Sequence, residues 1–242
     1  MRIGIIGTGT IASAVVRGIA NDGHQITVSE RSAANAQALA AEFDSVSIAS
    51  NQGVIDQSDV VILGLMAEAA GDILAPLTFR AYQQVISLMA GASLDAAAAL
   101  VAPAQARAIM LPFPGIAKGG SPILMLGDET LVGQIFGTRN QVIALQDAAE
   151  LNAYLCAQAV LSPAARMVSD AANWLGARVS DVAKGEAFLR VLVASSLEGA
   201  TADALISALN TEGGYNQRLR LHMENAGTGA ILAEGLDKLE RG

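Results

Sequence analysis

Gly7-Thr8-Gly9-Thr10-Ile11-Ala12 is the segment whose residue types and spacing could do chemistry. Gly7 can make a tight turn, Gly9 lets the backbone approach a ligand, and Ala12 is small enough for close packing of a helix on a strand. A helix opening here would present unpaired N–H groups with partial positive charge, which stabilise a diphosphate. The matching chemistry is dinucleotide binding through Gly7, Thr8, Gly9, Thr10, Ile11 and Ala12. Glu30 follows Ala12 by 18 residues, near the ~20 at which an acid meets a ribose 2′-hydroxyl. That favours NAD. Arg31 and Ser32 come directly after it, and an Arg there suits a 2′-phosphate, which favours NADP. The expected cofactor is NADP or NAD, with both open.

The elements that must position these residues are legible around them. Arg2 to Ile6 is a β-branched run that reads as a buried strand. Ile11, Val15 and Ile19 recur at helical spacing, with Gly23 as a stop, and Gln25 to Ser29 reads as a second strand. Strand, glycine turn, helix and strand in about thirty residues make one βαβ unit. The alternation continues with strands at 45–49, 59–65, 84–88 and 106–110, and helices at 33–43, 67–77 and 94–101, which predicts a mostly parallel sheet covered on both faces. Asn51 to Gln57 is a brief connection or helix. A Pro/Gly-rich loop from Pro112 leads to one more strand at 123–126. Beyond Leu151 only helices are predicted, at 151–159, 163–175, 179–196, 201–209 and 215–241. The expected domains are 1–150, α/β, and 151–242, all-α.

Composition excludes several classes. The 242 residues are 52% apolar and 16% charged, enough apolar surface to offset the ordering entropy that keeps disordered chains open. A net charge of −8 argues against a nucleic-acid partner, which needs a basic face. One Cys and two His leave no intramolecular disulfide and make a metal site of nitrogen and sulfur ligands unexpected. No apolar run reaches the ~18 residues of a membrane span, so no membrane partner is expected. Glycines interrupt the N-terminal apolar stretch at once, unlike a secretory signal, and a cytoplasmic location is expected.

The order and spacing of these segments resemble the pyrroline-5-carboxylate reductase family over nearly the whole chain. Ile3-Gly4-Ile5-Ile6-Gly7-Thr8-Gly9-Thr10-Ile11-Ala12 resembles its cofactor turn, and Ser29-Glu30-Arg31-Ser32 its adenosine-end loop. Ser50-Asn51, the run Ser58 to Leu65, and Ser87-Leu88-Met89-Ala90-Gly91-Ala92 match its next stations. Met110 to Pro114 is similar to a shortened form of its Pro-Asn-Thr-Pro loop, and Asn210-Thr211-Glu212-Gly213-Gly214 with the helix after it resembles its helical region. The resemblance implies an N-terminal Rossmann domain with a parallel sheet, followed by an all-α C-terminal dimerisation domain. It further implies NAD(P)H-dependent reduction of a C=N bond, with a small cyclic imine as substrate and a homodimer as the assembly. Asn51, Leu65, Met66 and Ala90 are then cofactor-binding, the last three beside the nicotinamide half. The substrate stations depart more than the cofactor stations. Leu65-Met66-Ala67 replaces Val-Lys-Pro, and the loop lacks its Asn and Thr.

No strong acid or base stands out, which suits a protonated imine better than a ketone. Ser162 and Thr211 are the catalytic candidates. Ser162 beside Pro163 could open a helix facing the cofactor, or act as a plain N-cap. Thr211 with Gly213 and Gly214 could hold a substrate carboxylate, or form an ordinary turn. Lys118, Lys184 and Tyr215 are weaker candidates. His24 and His222 read as structural or exposed, Cys156 as a buried thiol, and Met167 and Trp174 as core or dimer packing. A β-hydroxyacid-type dehydrogenase and a non-catalytic NAD(P) sensor are the alternative functions.

Overall fold

The computed structural model describes residues 1–241; Gly242, the last residue of the expected helical domain, lies outside them. The chain divides into two compact units, Met1–Leu151 and a second beginning at Asn152.

The first unit starts with β1 (Arg2–Ile6), α1 (Thr10–Ile19), β2 (Gln25–Ser29), α2 (Ala33–Glu42), β3 (Val46–Ala49) and α3 (Asn51–Asp56). It continues through β4 (Val60–Leu63), α4 (Ala67–Leu74), β5 (Gln84–Ser87), α5 (Leu94–Val101) and β6 (Gln105–Pro112). A 3-10 turn at Pro114–Ala117 leads to β7 (Pro122–Gly127), α6 (Glu129–Phe136) and β8 (Gln141–Ala144), and α7 (Ala148–Ala157) crosses into the second unit. Among the described residues, eight strands form one sheet in the order β3-β2-β1-β4-β5-β6-β7-β8. Only the β6–β7 pair is antiparallel; β1 pairs in parallel with β2 on one side and with β4 on the other. The expected α/β fold, with a Rossmann-type sheet first and helices after, is thus what the chain adopts.

Alternation along the buried strands divides the core. Ile3, Ile5 and Ile62 face one layer, filled by Val15, Val16 and Ile19 of α1, Leu39 of α2 and Phe136 of α6. Ile6, Val61 and Leu63 face the opposite layer, with Val54 and Ile55 of α3, Leu74 of α4 and Val101 of α5. Strands buried on both faces are why 59–65 reads as nearly continuous apolar sequence rather than as an alternating one.

The second unit contains α8 (Leu161–Gly176), α9 (Val182–Glu198), α10 (Ala202–Ala208), α11 (Tyr215–Asn225) and α12 (Thr228–Arg241). The single helix expected over 215–241 is two, broken at Ala226-Gly227. Ala226 caps α11, and Gly227 adopts φ +86°, a conformation that ends a helix cheaply only at glycine. Two further elements, α6 and β8, were not expected from the sequence. Among the described residues, the only buried side chain of this unit is Ala172, and twenty of the twenty-four exposed large apolar residues belong here, the others being Met1, Ile48, Met66 and Tyr82. Trp174 is 62% exposed and Met167 49%, so neither is core within the chain. The Arg178 guanidinium lies over the Trp174 ring, 3.9 Å from its centre. Cys156 is half-buried rather than enclosed.

Among the described residues no single helix is long and apolar enough to cross a membrane. No three His, Cys, Asp or Glu side chains gather among them as a metal site.

Candidate dinucleotide site

The glycine turn leaves β1 and enters α1, where the sheet order reverses between β2 and β4. Ligands of open α/β sheets bind at such a reversal, outside the carboxyl ends of the strands. Gly7 has φ +91°, and a Cβ on it would collide with the Gly64 carbonyl oxygen. Gly64, just past β4, is equally constrained, because a Cβ there would lie 2.7 Å from the Ala12 Cβ. Ala12 and Gly64 together let α1 approach the end of β4.

Gly9 is the N-cap of α1, with extended backbone and no side-chain cap, and the first turn of the helix carries no acid. The helix N-terminus is therefore electrostatically bare, with its first N–H groups uncapped. A Cβ on Gly9 would meet nothing within 4 Å. Gly9 and Thr10 are exposed, whereas Thr8 is completely buried. Thr8 Oγ1 has no hydrogen-bond partner, so the turn retains an unsatisfied hydroxyl. These features fit the diphosphate of a dinucleotide.

Three side chains that are not among the expected cofactor residues hold the turn. Ser29 Oγ, at the end of β2, accepts the Gly7 N–H at 2.8 Å. Asn35 Nδ2, in the first turn of α2, donates to the Thr8 carbonyl at 2.6 Å, and Ser13 Oγ donates to the same oxygen at 3.2 Å. No spacing rule marks Ser29 or Asn35, because their partners lie 22 and 27 residues away.

The other expected cofactor residues stand at neighbouring strand ends. Glu30, Arg31 and Ser32 connect β2 to α2, with both charged residues exposed and Ser32 an N-cap whose side chain makes no cap bond. Glu30, Ala33, Ala36, Gln37 and Ile48 line a cleft of about 330 Å³. Asn51 opens α3, whose N-cap Ser50 accepts the Gly53 N–H at 3.2 Å. Leu65 and Met66 follow β4, with Met66 72% exposed, and Ala90 follows β5 as an exposed residue. Strand order therefore sets Asn51, Glu30 to Ser32, the glycine turn, Leu65 with Met66, and Ala90 in succession along one sheet edge.

The catalytic candidates belong to the second unit. Ser162 is the second residue of α8 rather than its N-cap; the cap position is Val160, itself helical, so Ser162 lies inside the first turn. Thr211 is exposed between α10 and α11, and its carbonyl accepts the Gly214 N–H at 3.0 Å. Gly213, at φ +71°, donates its N–H to Gln217 Oε1 at 2.9 Å. Tyr215 is 91% exposed, and Lys184 of α9 borders an apolar groove with Phe188 and Leu192.

The perturbed titrations lie away from the glycine turn. Arg2 holds the Asp59 carboxyl below its ordinary range through their hydrogen-bonded pair, and Arg107 does the same for Asp128. Burial, aided by the N-terminal ammonium, lowers His24. His24 Nδ1 lies 3.4 Å from that ammonium nitrogen. His24 is thus occupied at the amino end of the chain.

Residues 2–91 match a family model described as NADP oxidoreductase, coenzyme F420-dependent. No curated protein matches the chain. Among solved structures, 1-pyrroline-5-carboxylate reductase from Streptococcus pyogenes superposes with a TM-score of 0.82 at 24% identity, covering 100% of this chain and 97% of that one. Plasmodium falciparum pyrroline carboxylate reductase with NADP bound gives 0.82 at 12% identity, covering 100% and 96%. A reductive aminase from Aspergillus terreus in complex with NADPH and ethyl levulinate gives 0.60 at 19% identity, covering 99% and 90%. The fold is that of a Rossmann-type sheet followed by helices. Over its whole length it is shared with the pyrroline-5-carboxylate reductases.

Proposed function

We propose that the protein is an NAD(P)H-dependent reductase of a small cyclic imine, with 1-pyrroline-5-carboxylate, reduced to proline, as the leading substrate. The observation that carries this reading is the bare, uncapped start of α1 behind Gly9, facing open space. The full-length likeness to pyrroline-5-carboxylate reductases supports the choice of substrate class. Gly9, Thr10, Ile11 and Ala12 hold the diphosphate by backbone N–H groups, and the apolar cleft at Ile48 receives the adenine. Arg31 and Ser32 receive a 2′-phosphate, or Glu30 a 2′-hydroxyl.

A bound reduced nicotinamide supplies a hydride to the electrophilic carbon of the imine. Leu65, Met66 and Ala90 present apolar surface that orients the ring and excludes water. Ser162 and Thr211 are the hydroxyls assigned to substrate, whether from this chain or from a partner copy. A cyclic imine that arrives protonated needs no strong acid from the protein.

The test is a substrate panel followed at the nicotinamide absorbance. Cofactor consumption with 1-pyrroline-5-carboxylate or another small cyclic imine is the expected result. Cofactor binding with no turnover on any imine contradicts the reductase reading and favours a sensor, and turnover on β-hydroxy acids alone favours the other dehydrogenase class.

The assembly proposed is a homodimer through the helical unit. Its supporting observation is that this unit buries only Ala172 among its described residues while leaving Phe188, Val191, Leu192 and Leu219 exposed. Helices with so little core of their own need another surface to cover their apolar residues. Sedimentation at micromolar concentration is expected to give twice the chain mass, and a monomer at that concentration contradicts the assembly.

A further inference from the structure

We infer that Asn35 is a positioning residue for the dinucleotide, aiming the Gly9 N–H by pinning the Thr8 carbonyl. The inference rests on the proposed reading of the glycine turn. Thr8 C=O and Gly9 N–H belong to one planar trans peptide, so they point in opposite directions. The Thr8 oxygen accepts Asn35 Nδ2 at 2.6 Å and Ser13 Oγ at 3.2 Å. Held from α2 and α1, that carbonyl turns the Gly9 N–H the other way. A carbonyl only accepts, so the Asn35 amide must present its NH₂ and not its oxygen.

Asn35 is exposed and gains nothing from apolar burial. What the position uses is therefore the amide donor. Ser29 acts on the adjoining peptide by accepting the Gly7 N–H at 2.8 Å. Asn35 lies three residues after Ser32, on the helix whose start carries Glu30, Arg31 and Ser32. One hydrogen bond thus joins the helix beside the ribose station to the turn that meets the diphosphate. When that bond is absent the Thr8–Gly9 peptide can rotate, and its carbonyl oxygen can face the phosphate oxygens in place of the N–H.

The experiment titrates NAD⁺ and NADP⁺ into the full-length wild type, Asn35→Ala and Asn35→Asp, at neutral pH and again near pH 4, about the ordinary value of an Asp carboxyl, with melting temperatures recorded without ligand. Asn35→Ala is expected to weaken both nucleotides by about tenfold, the scale of one lost hydrogen bond, with little change in melting temperature. Asn35→Asp is expected to bind worse than Asn35→Ala at neutral pH. Its deficit relative to the wild type at the same pH should narrow in acid, because only the protonated carboxyl can donate to Thr8 O. A side chain that merely supports α2 would show no such pH-dependent rescue. Unchanged affinity in Asn35→Ala, or an Asn35→Asp deficit that ignores pH, overturns the inference while leaving the dinucleotide reading intact. A wild type that binds neither nucleotide removes that reading and this inference with it.

Discussion

Gly9→Asp keeps the protein folded and lowers its affinity for pyridine nucleotide by about a hundredfold or more, roughly 3 kcal/mol of binding. The two halves of this expectation have separate causes. A Cβ at Gly9 meets nothing within 4 Å, and its extended backbone at φ −68° suits any residue. Asp is also a preferred N-cap, so its carboxylate would accept the free N–H groups of α1 and leave stability unchanged or slightly raised. In doing so it would occupy the anion site with a fixed negative charge. Calorimetric titration and a melting curve on the same sample check both halves. Retained affinity would mean that the diphosphate does not rest on this turn.

Gln83→Leu should instead cost the protein stability and spare the cofactor. Gln83 is completely buried. Its Nε2 donates to the carbonyls of Ile55 at 2.6 Å and Ser58 at 2.9 Å, and its Oε1 accepts the Arg80 N–H at 2.8 Å. One amide therefore satisfies three backbone groups around the amino ends of β4 and β5. Leucine has a similar size but leaves the Ser58 carbonyl and the Arg80 N–H without that partner, and the Ile55 carbonyl with only the Ser58 N–H at 3.2 Å, at about 1–3 kcal/mol for each unpaired group that water cannot reach. A loss of about 4 kcal/mol is expected, seen as a melting temperature lower by about 10 °C. Nucleotide affinity, measured below the transition, should be unchanged, because Gln83 precedes β5 whereas the proposed cofactor residues follow the strands. A melting temperature within a degree or two of the wild type would show that water or repacking satisfies those groups.

The sequence made the first βαβ unit legible because three signals coincide there: a β-branched run, glycines at the turn, and apolar residues at helical spacing. β4 was legible for a related reason, since burial on both faces leaves almost no polar residue in it. β8 escaped because Gln141-Val142-Ile143-Ala144 is a four-residue edge strand with no fully buried member, too short for periodicity to distinguish from loop. The 215–241 region carries continuous helical composition, and only the backbone of Gly227 reveals the break. Within the site, glycine and alanine positions follow from sterics that sequence can express. Ser29, Asn35 and Gln83 do not, because each acts through hydrogen bonds to backbone atoms brought near only by the finished sheet. Ser162 shows the reverse problem: Ser before Pro suggests a helix start, yet the preceding 3-10 turn at Gln158–Val160 carries the chain directly into α8 and removes the cap.

The central claim is that uncapped amides at the start of α1 bind a dinucleotide diphosphate. Calorimetric titration of the wild-type chain with NADPH and NADH tests it most directly. The account predicts saturable binding of at least one of them, one nucleotide per chain. Absence of binding to both at millimolar nucleotide would contradict it.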